Sequence, residues 1–166
     1  MQMLKKQVFL SIAERLNKEL RVVPLLYGSL GLEQRLQTDL HAEDIDILIP
    51  EVFLDEKWSC VVTLMEEHGY VLYDLREHAF EKAGIRVAFA SIEDLTPFAG
   101  IDSAKIPVVE ESGVRYSLLT LQDYLNVYTA SSQDGYRKNT KHKNDGQKIR
   151  LIKNALGIAQ GIAKGI

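Results

Sequence analysis

Residues 44–50, Asp-Ile-Asp-Ile-Leu-Ile-Pro, carry the two-residue period of a β-strand with one buried face. Ile45, Ile47 and Ile49 point into a core, whereas Asp44, Asp46 and Leu48 share the opposite face. The rest of the chain offers this strand both neighbours and cover. RVVPLLYGS (21–29) reads as a short buried strand ending in Gly28-Ser29, with Pro24 placing it at an edge or at a strand start. YVLYDL (70–75), HAFEK (78–82) and IRVAFAS (85–91) read as three further strands, and IPVVE (106–110) with VRYSL (114–118) as a hairpin.

Helical periods lie between and around these strands. Val8, Ile12, Leu16 and Leu20 stripe residues 4–20, Leu32 and Leu36 lie one turn apart in 31–37, and 56–70 carries an apolar face that includes Trp58 and Met65. Residues 121–130 and a segment from about Ile149 onward complete the helices. The mixture predicts an α/β (α+β) fold, a small mixed sheet backed by helices, with a C-terminal helical segment. At 166 residues and 46% hydrophobic content the chain can bury a core without disulfides or a structural metal. Its one cysteine, Cys60, suits a reducing compartment, and no apolar run is long enough for a signal peptide or membrane span. The expected location is cytoplasmic, with no membrane partner.

The net charge of −3 conceals a split. Residues 1–131 hold 12 Lys+Arg against 21 Asp+Glu, and residues 132–166 hold 8 against 2. A local basic field attracts anions whatever the total charge. The division suggests a body at 1–131 and a basic loop with a C-terminal helix at 132–166 that packs on the same domain.

The chemistry is concentrated in residues 27–49. Asp44 and Asp46 on one strand face stand roughly 6–7 Å apart. Carboxylates that close are commonly relieved by a divalent cation or a shared proton, and hard oxygen donors suit magnesium. The alternative is a solvated face. Gly28-Ser29 before a helix offers backbone access, a hydroxyl donor and a helix amino terminus to a phosphate, although a plain strand-to-helix turn uses the same residues.

Gly28-Ser29 closing one strand, fourteen intervening residues, and Asp44-Ile45-Asp46 opening the next resemble the nucleotidyltransferase fold of the DNA polymerase beta superfamily. Within it the chain is similar to the small bacterial lincosamide and aminoglycoside nucleotidyltransferases. The resemblance implies magnesium-dependent transfer of a nucleoside monophosphate from a nucleoside triphosphate to a hydroxyl acceptor, which is a small molecule, an RNA or a protein. It implies that Gly28 and Ser29 hold the triphosphate and that Asp44 and Asp46 bind two magnesium ions. A third carboxylate is expected on a later strand, but the matching position in IRVAFAS is Ala88; Glu81 and Glu93 are the candidates to replace it. In the basic segment Arg137, Lys138 and Lys143 are candidate triphosphate contacts, and Lys143, Asp145 and Lys148 form a loosened version of the family's Lys-Asp pattern at the C-terminal helix. The alternative function is a catalytically degenerate nucleotide-binding protein, or an RNA-binding, antitoxin-like regulator.

Overall fold

The computed structural model describes residues 2–133 and 145–164. A seven-stranded mixed sheet carries the fold: β1 (Leu25–Tyr27), β2 (Ile45–Ile49), β3 (Val71–Asp74), β4 (Ala79–Lys82), β5 (Ile85–Ser91), β6 (Val108–Glu111) and β7 (Val114–Ser117). Its spatial order is β3-β4-β5-β2-β1-β7-β6. Neighbours run antiparallel except for the β2–β5 and β1–β7 pairs, which are parallel. A parallel pair needs a long connection. Between β2 and β5 that connection contains α3 (Trp58–Glu67) and the β3–β4 hairpin.

Alternation in β2 holds as the sequence indicates, with Ile45, Ile47 and Ile49 fully buried. Cross-strand pairing extends their face through Val87 and Phe89 of β5 to Phe80 of β4. Trp58 of α3 packs there, 5.6 Å from the Phe80 ring and edge-on to Phe89 at 6.5 Å. The opposite face carries Asp46 and Leu48 beside Ala88 and Ala90.

The other helices are α1 (Gln2–Arg15), α2 (Gly28–Leu36), α4 (Leu95–Ala99), α5 (Leu121–Gln133) and α6 (Asp145–Lys164). A π-helical turn, Leu16–Leu20, extends α1, and Arg21 closes it in the left-handed region. Phe9 of α1 meets the Tyr116 ring edge-on at 5.2 Å, and Lys6 lies 2.9 Å from Glu111, so α1 fastens the β6–β7 hairpin. α6 packs on α5, with Ile152 fully buried.

The structure refines the sequence reading at several points. The strand expected over 21–29 is only Leu25–Tyr27, and Gly28-Ser29 begin α2 rather than end the strand. Of the two places that Pro24 allowed, an edge or a strand start, the structure takes the second: β1 lies inside the sheet between β2 and β7, and Pro24 precedes it while its carbonyl accepts from Ser117 N at 2.8 Å. Proline lacks a donor but keeps its acceptor, so it is tolerated at a strand start. α4 follows Ser91 and Ile92–Asp94 where no helix was expected, because five residues are too few to display a helical period. Cys60, on α3, is exposed.

Candidate functional site

Gly28 joins β1 to α2 with φ at 64°, a backbone region that side chains disfavour. A Cβ built on Gly28 would collide with Asp46 Oδ2. The pairing of Tyr27 with Asp46 across β1 and β2 explains this closeness, since it sets the first turn of α2 directly beside the Asp46 carboxylate. The sequence motifs therefore meet through strand pairing, although eighteen positions separate them in the chain.

A cleft of about 340 Å³ opens over this junction. Gly28, Ser29 and Asp46 form part of its wall, Ala88 and Ala90 part of its floor, and Tyr128, Asp145 and Lys148 close it from α5 and α6. Tyr128 is buried and hydrogen-bonded to Ser29. Its phenol is pushed well above the ordinary range, first by burial and then by the nearby Tyr27, Asp46 and Asp145. Tyr128 is thus a neutral hydrogen-bonding group that ties the helical cover to the first turn of α2. Ser131 Oγ donates to Asp145 Oδ2 at 2.8 Å, and Lys148, one turn beyond Asp145, sets its Nζ 5.1 Å from the centroid of the Tyr128 ring.

The loop before β2 is held from α2. Glu33 is 1% exposed, and its Oε1 accepts from Leu40 N at 2.9 Å and Ala42 N at 3.1 Å. Lys5 Nζ also donates to the Ala42 carbonyl. These bonds fix the chain that enters β2 and so set where Asp46 emerges.

The remaining sequence candidates are placed as follows. Asp44 is exposed at the bend before β2 and does not line the cleft. Ala88 pairs with Asp46 in register, so the position expected to hold a third carboxylate is a methyl group in the cleft floor. Glu81 does not line the cleft; it lies 3.5 Å from Arg86, its cross-strand partner. Glu93 is not in the lining either, because both its oxygens accept from Glu51 N, at 3.2 and 3.0 Å, past the end of β2. Arg137, Lys138 and Lys143 lie outside the described residues. Among the described residues no group of three or more His, Cys, Asp and Glu is arranged to hold a metal ion.

Sequence reasoning missed Glu77, Phe98, Tyr128 and Ser131, all of which line the cleft. Glu77 arrives because Phe89 N donates to the His78 carbonyl at 3.1 Å, which folds the β3–β4 connection against β5. No local pattern announces such a residue. Tyr128 had a helical signal, but that signal indicates burial and not the serine it would meet.

No family model matches this chain. The solved structure of ANT(2'')-Ia in complex with adenylyl-2''-tobramycin superposes with a TM-score of 0.55 at 14% identity, covering 94% of this chain and 92% of that one. An antigenic nucleotidyltransferase-like protein from Paracoccidioides brasiliensis gives a TM-score of 0.61 at 14% identity, covering 90% of this chain and 75% of its own. Among the described residues no helix is long and apolar enough to cross a membrane. In sequence the chain is 47% identical over 144 residues to the uncharacterized protein YnaI of Bacillus subtilis (strain 168), covering 87% of this chain and 92% of the relative. The fold is nucleotidyltransferase-like, and the chain belongs to the same family as YnaI.

Proposed function

We propose that this protein is a magnesium-dependent nucleotidyltransferase that moves a nucleoside monophosphate from a nucleoside triphosphate to a hydroxyl acceptor. The observation that carries the reading is the junction of Gly28 with Asp46: a helix amino terminus, bare of side chain at its first residue, lies directly beside a carboxylate in the lining of one cleft. Ser29 and the first amides of α2 would bind phosphate oxygens.

Charge supports a cation in the same place. Among the described residues, the cleft lining holds the carboxylates of Asp46, Glu77 and Asp145 against one lysine, Lys148. A bare triphosphate would be repelled by that field, and a nucleotide carrying a divalent ion would not. Magnesium takes one or two carboxylates and completes its shell with water and phosphate oxygens, so Asp46 in the cleft lining would hold it without a full protein cage, with Asp44, exposed at the strand entrance, as the candidate second ligand. When bound, magnesium would lower the pKa of the acceptor hydroxyl and neutralise the departing pyrophosphate. Lys148, and from sequence alone Arg137, Lys138 and Lys143, would contact the triphosphate. Tyr128 would keep the Ser29 hydroxyl oriented. The structural neighbour ANT(2'')-Ia, solved in complex with adenylyl-2''-tobramycin, an adenylylated product, is consistent with this reaction class.

A second reading rests on one observation, Ala88 opposite Asp46. It makes the protein a nucleotide-binding module without turnover. Incubation with each labelled nucleoside triphosphate, magnesium and a panel of hydroxyl acceptors separates the two. Transfer is expected from the native chain, with at least a hundredfold loss in the Asp44→Ala/Asp46→Ala variant. Pyrophosphate release that survives the double substitution overturns the site, and tight magnesium-dependent binding without release favours the binding module.

A further inference from the structure

A second cavity, about 500 Å³ in volume, adjoins the cleft and shares Tyr27, Leu48, Ala90 and Phe98 with it. It lies one side-chain step farther along β2 and β5, since Leu48 and Ala90 follow Asp46 and Ala88 by two residues on the same sheet face. That displacement is roughly 6–7 Å. Its base is apolar, with Leu48 and Leu95 only 4% and 3% exposed, and Pro97 and Phe98 of α4 form an exposed rim.

Polar groups are sparse. The Ser91 hydroxyl already accepts from Glu93 N at 3.2 Å, and Asp94, exposed at the start of α4, is the one carboxylate among the described residues that line the cavity. A nucleobase bound there would find few partners for its hydrogen-bonding edge, and unpaired polar edges cost affinity. A polyamine sugar would find one anion for several ammonium groups. An apolar ring suits the volume and the lining.

We propose that this cavity is the acceptor subsite and that it takes a hydroxyl compound built on an apolar, ring-sized body with at most one cationic group, which Asp94 would face. The assignment as acceptor rests on the nucleotidyl-transfer reading above. The ring would occupy the space between Leu95 and Phe98 and direct its hydroxyl back toward Asp46. Attack by the hydroxyl oxygen on the α-phosphorus would form the new P–O bond as the bond to the bridging oxygen breaks; pyrophosphate would leave with its electron pair, and the hydroxyl proton would pass to water.

The test is calorimetric titration of the full chain with 2-(1-naphthyl)ethanol and with a polycationic aminoglycoside, each with and without ATP, GTP, CTP or UTP and magnesium. The naphthyl alcohol is expected to bind at least tenfold more tightly than the aminoglycoside, and equally well with nucleotide present. Leu95→Ala and Pro97→Asp should each weaken it fivefold or more while leaving nucleotide affinity within twofold. Pro97 is exposed on the rim, so its variant stands if loss of the buried Leu95 side chain unfolds the protein, a point circular dichroism decides. Competition between naphthyl alcohol and nucleotide overturns the proposal by making the cavity the base pocket. So does absence of naphthyl alcohol binding, stronger aminoglycoside binding, or indifference to Pro97→Asp. Naphthyl alcohol binding that depends on Pro97 in a chain that binds no nucleotide keeps the cavity's ligand class and defeats the transfer reading instead.

Discussion

Gly28 meets two demands, a left-handed backbone and an approach to Asp46 that leaves no room for a methyl group. Gly28→Ala should cost about 1–2 kcal/mol from the backbone alone. It should also displace the Asp46 carboxylate, reducing pyrophosphate release at least tenfold; urea unfolding and a turnover assay measure the two effects separately. Glu33 is the second residue on which the site depends. Its Oε1 serves two backbone donors, while its buried Oε2 has no hydrogen-bond partner among the described residues. Glu33→Ala orphans Leu40 N and Ala42 N and should cost about 1–3 kcal/mol, whereas Glu33→Gln, which keeps one oxygen acceptor, should cost less. Urea midpoints of the two variants check the order. Gly28 was legible in the sequence because its neighbours Ser29 and the Asp44-Asp46 pair made a pattern. Glu33 was not, since an acid in a helix reads as solvated until the loop that folds over it is seen.

At the scale of elements, β1, α2 and α5 share a joint. Tyr124 is fully buried and donates to the Leu26 carbonyl at 2.9 Å, and Gly31 lies so close that a Cβ there would strike both the Tyr124 hydroxyl and the Leu26 oxygen. Tyr124→Phe should cost about 1 kcal/mol, the worth of one buried hydrogen bond. Gly31→Ala should cost more, about 1–3 kcal/mol, because the helix must move from the strand. Chemical denaturation of the two variants tests this, and equal effects would argue against the contact. Helix α2 was expected at 31–37 because its leucines set a period there, yet it begins three residues earlier at Gly28. Glycine and serine carry no apolar period, so the turn of the helix that faces the cleft was the one the pattern could not register.

At the scale of the whole molecule, α1 and the π-helical turn that extends it clamp the far edge of the sheet: Lys6 and Phe9 reach Glu111 and Tyr116, and Asn17 of the turn donates through Nδ2 to the Arg115 carbonyl at 3.0 Å while its Oδ1 accepts from Arg115 N at 2.8 Å. Lys6 holds the Glu111 carboxyl below its ordinary value of about 4.5, chiefly through their hydrogen bond, and Tyr116 donates to the same carboxylate at 2.9 Å. A depressed folded-state pKa stabilises above the unfolded value and loses that effect as pH falls through the folded one. The stability advantage of the native chain over Lys6→Met should therefore be present at neutral pH and shrink on acidification below about pH 4.5. Glu111 is 41% exposed, so the effect is modest and should weaken with salt. Thermal unfolding across pH at two ionic strengths measures it.

The sequence by itself determined the periods, and with them the strands, most helices, the isoleucine core face of β2 and the two motifs at residues 28–29 and 44–46. These follow from local chemistry, because side-chain alternation and glycine freedom act over a few residues. Only the tertiary structure decided that β1 is an interior strand, that Asp46 lines the cleft while Asp44 stands outside its lining, and that Ala88 occupies the place beside Asp46. It also brought Glu77, Tyr128 and Asp145 to the same cleft and opened an apolar cavity next to it. Strand register and helix docking depend on how distant segments bury their surfaces together, and no local period encodes which side chains that burial will bring face to face.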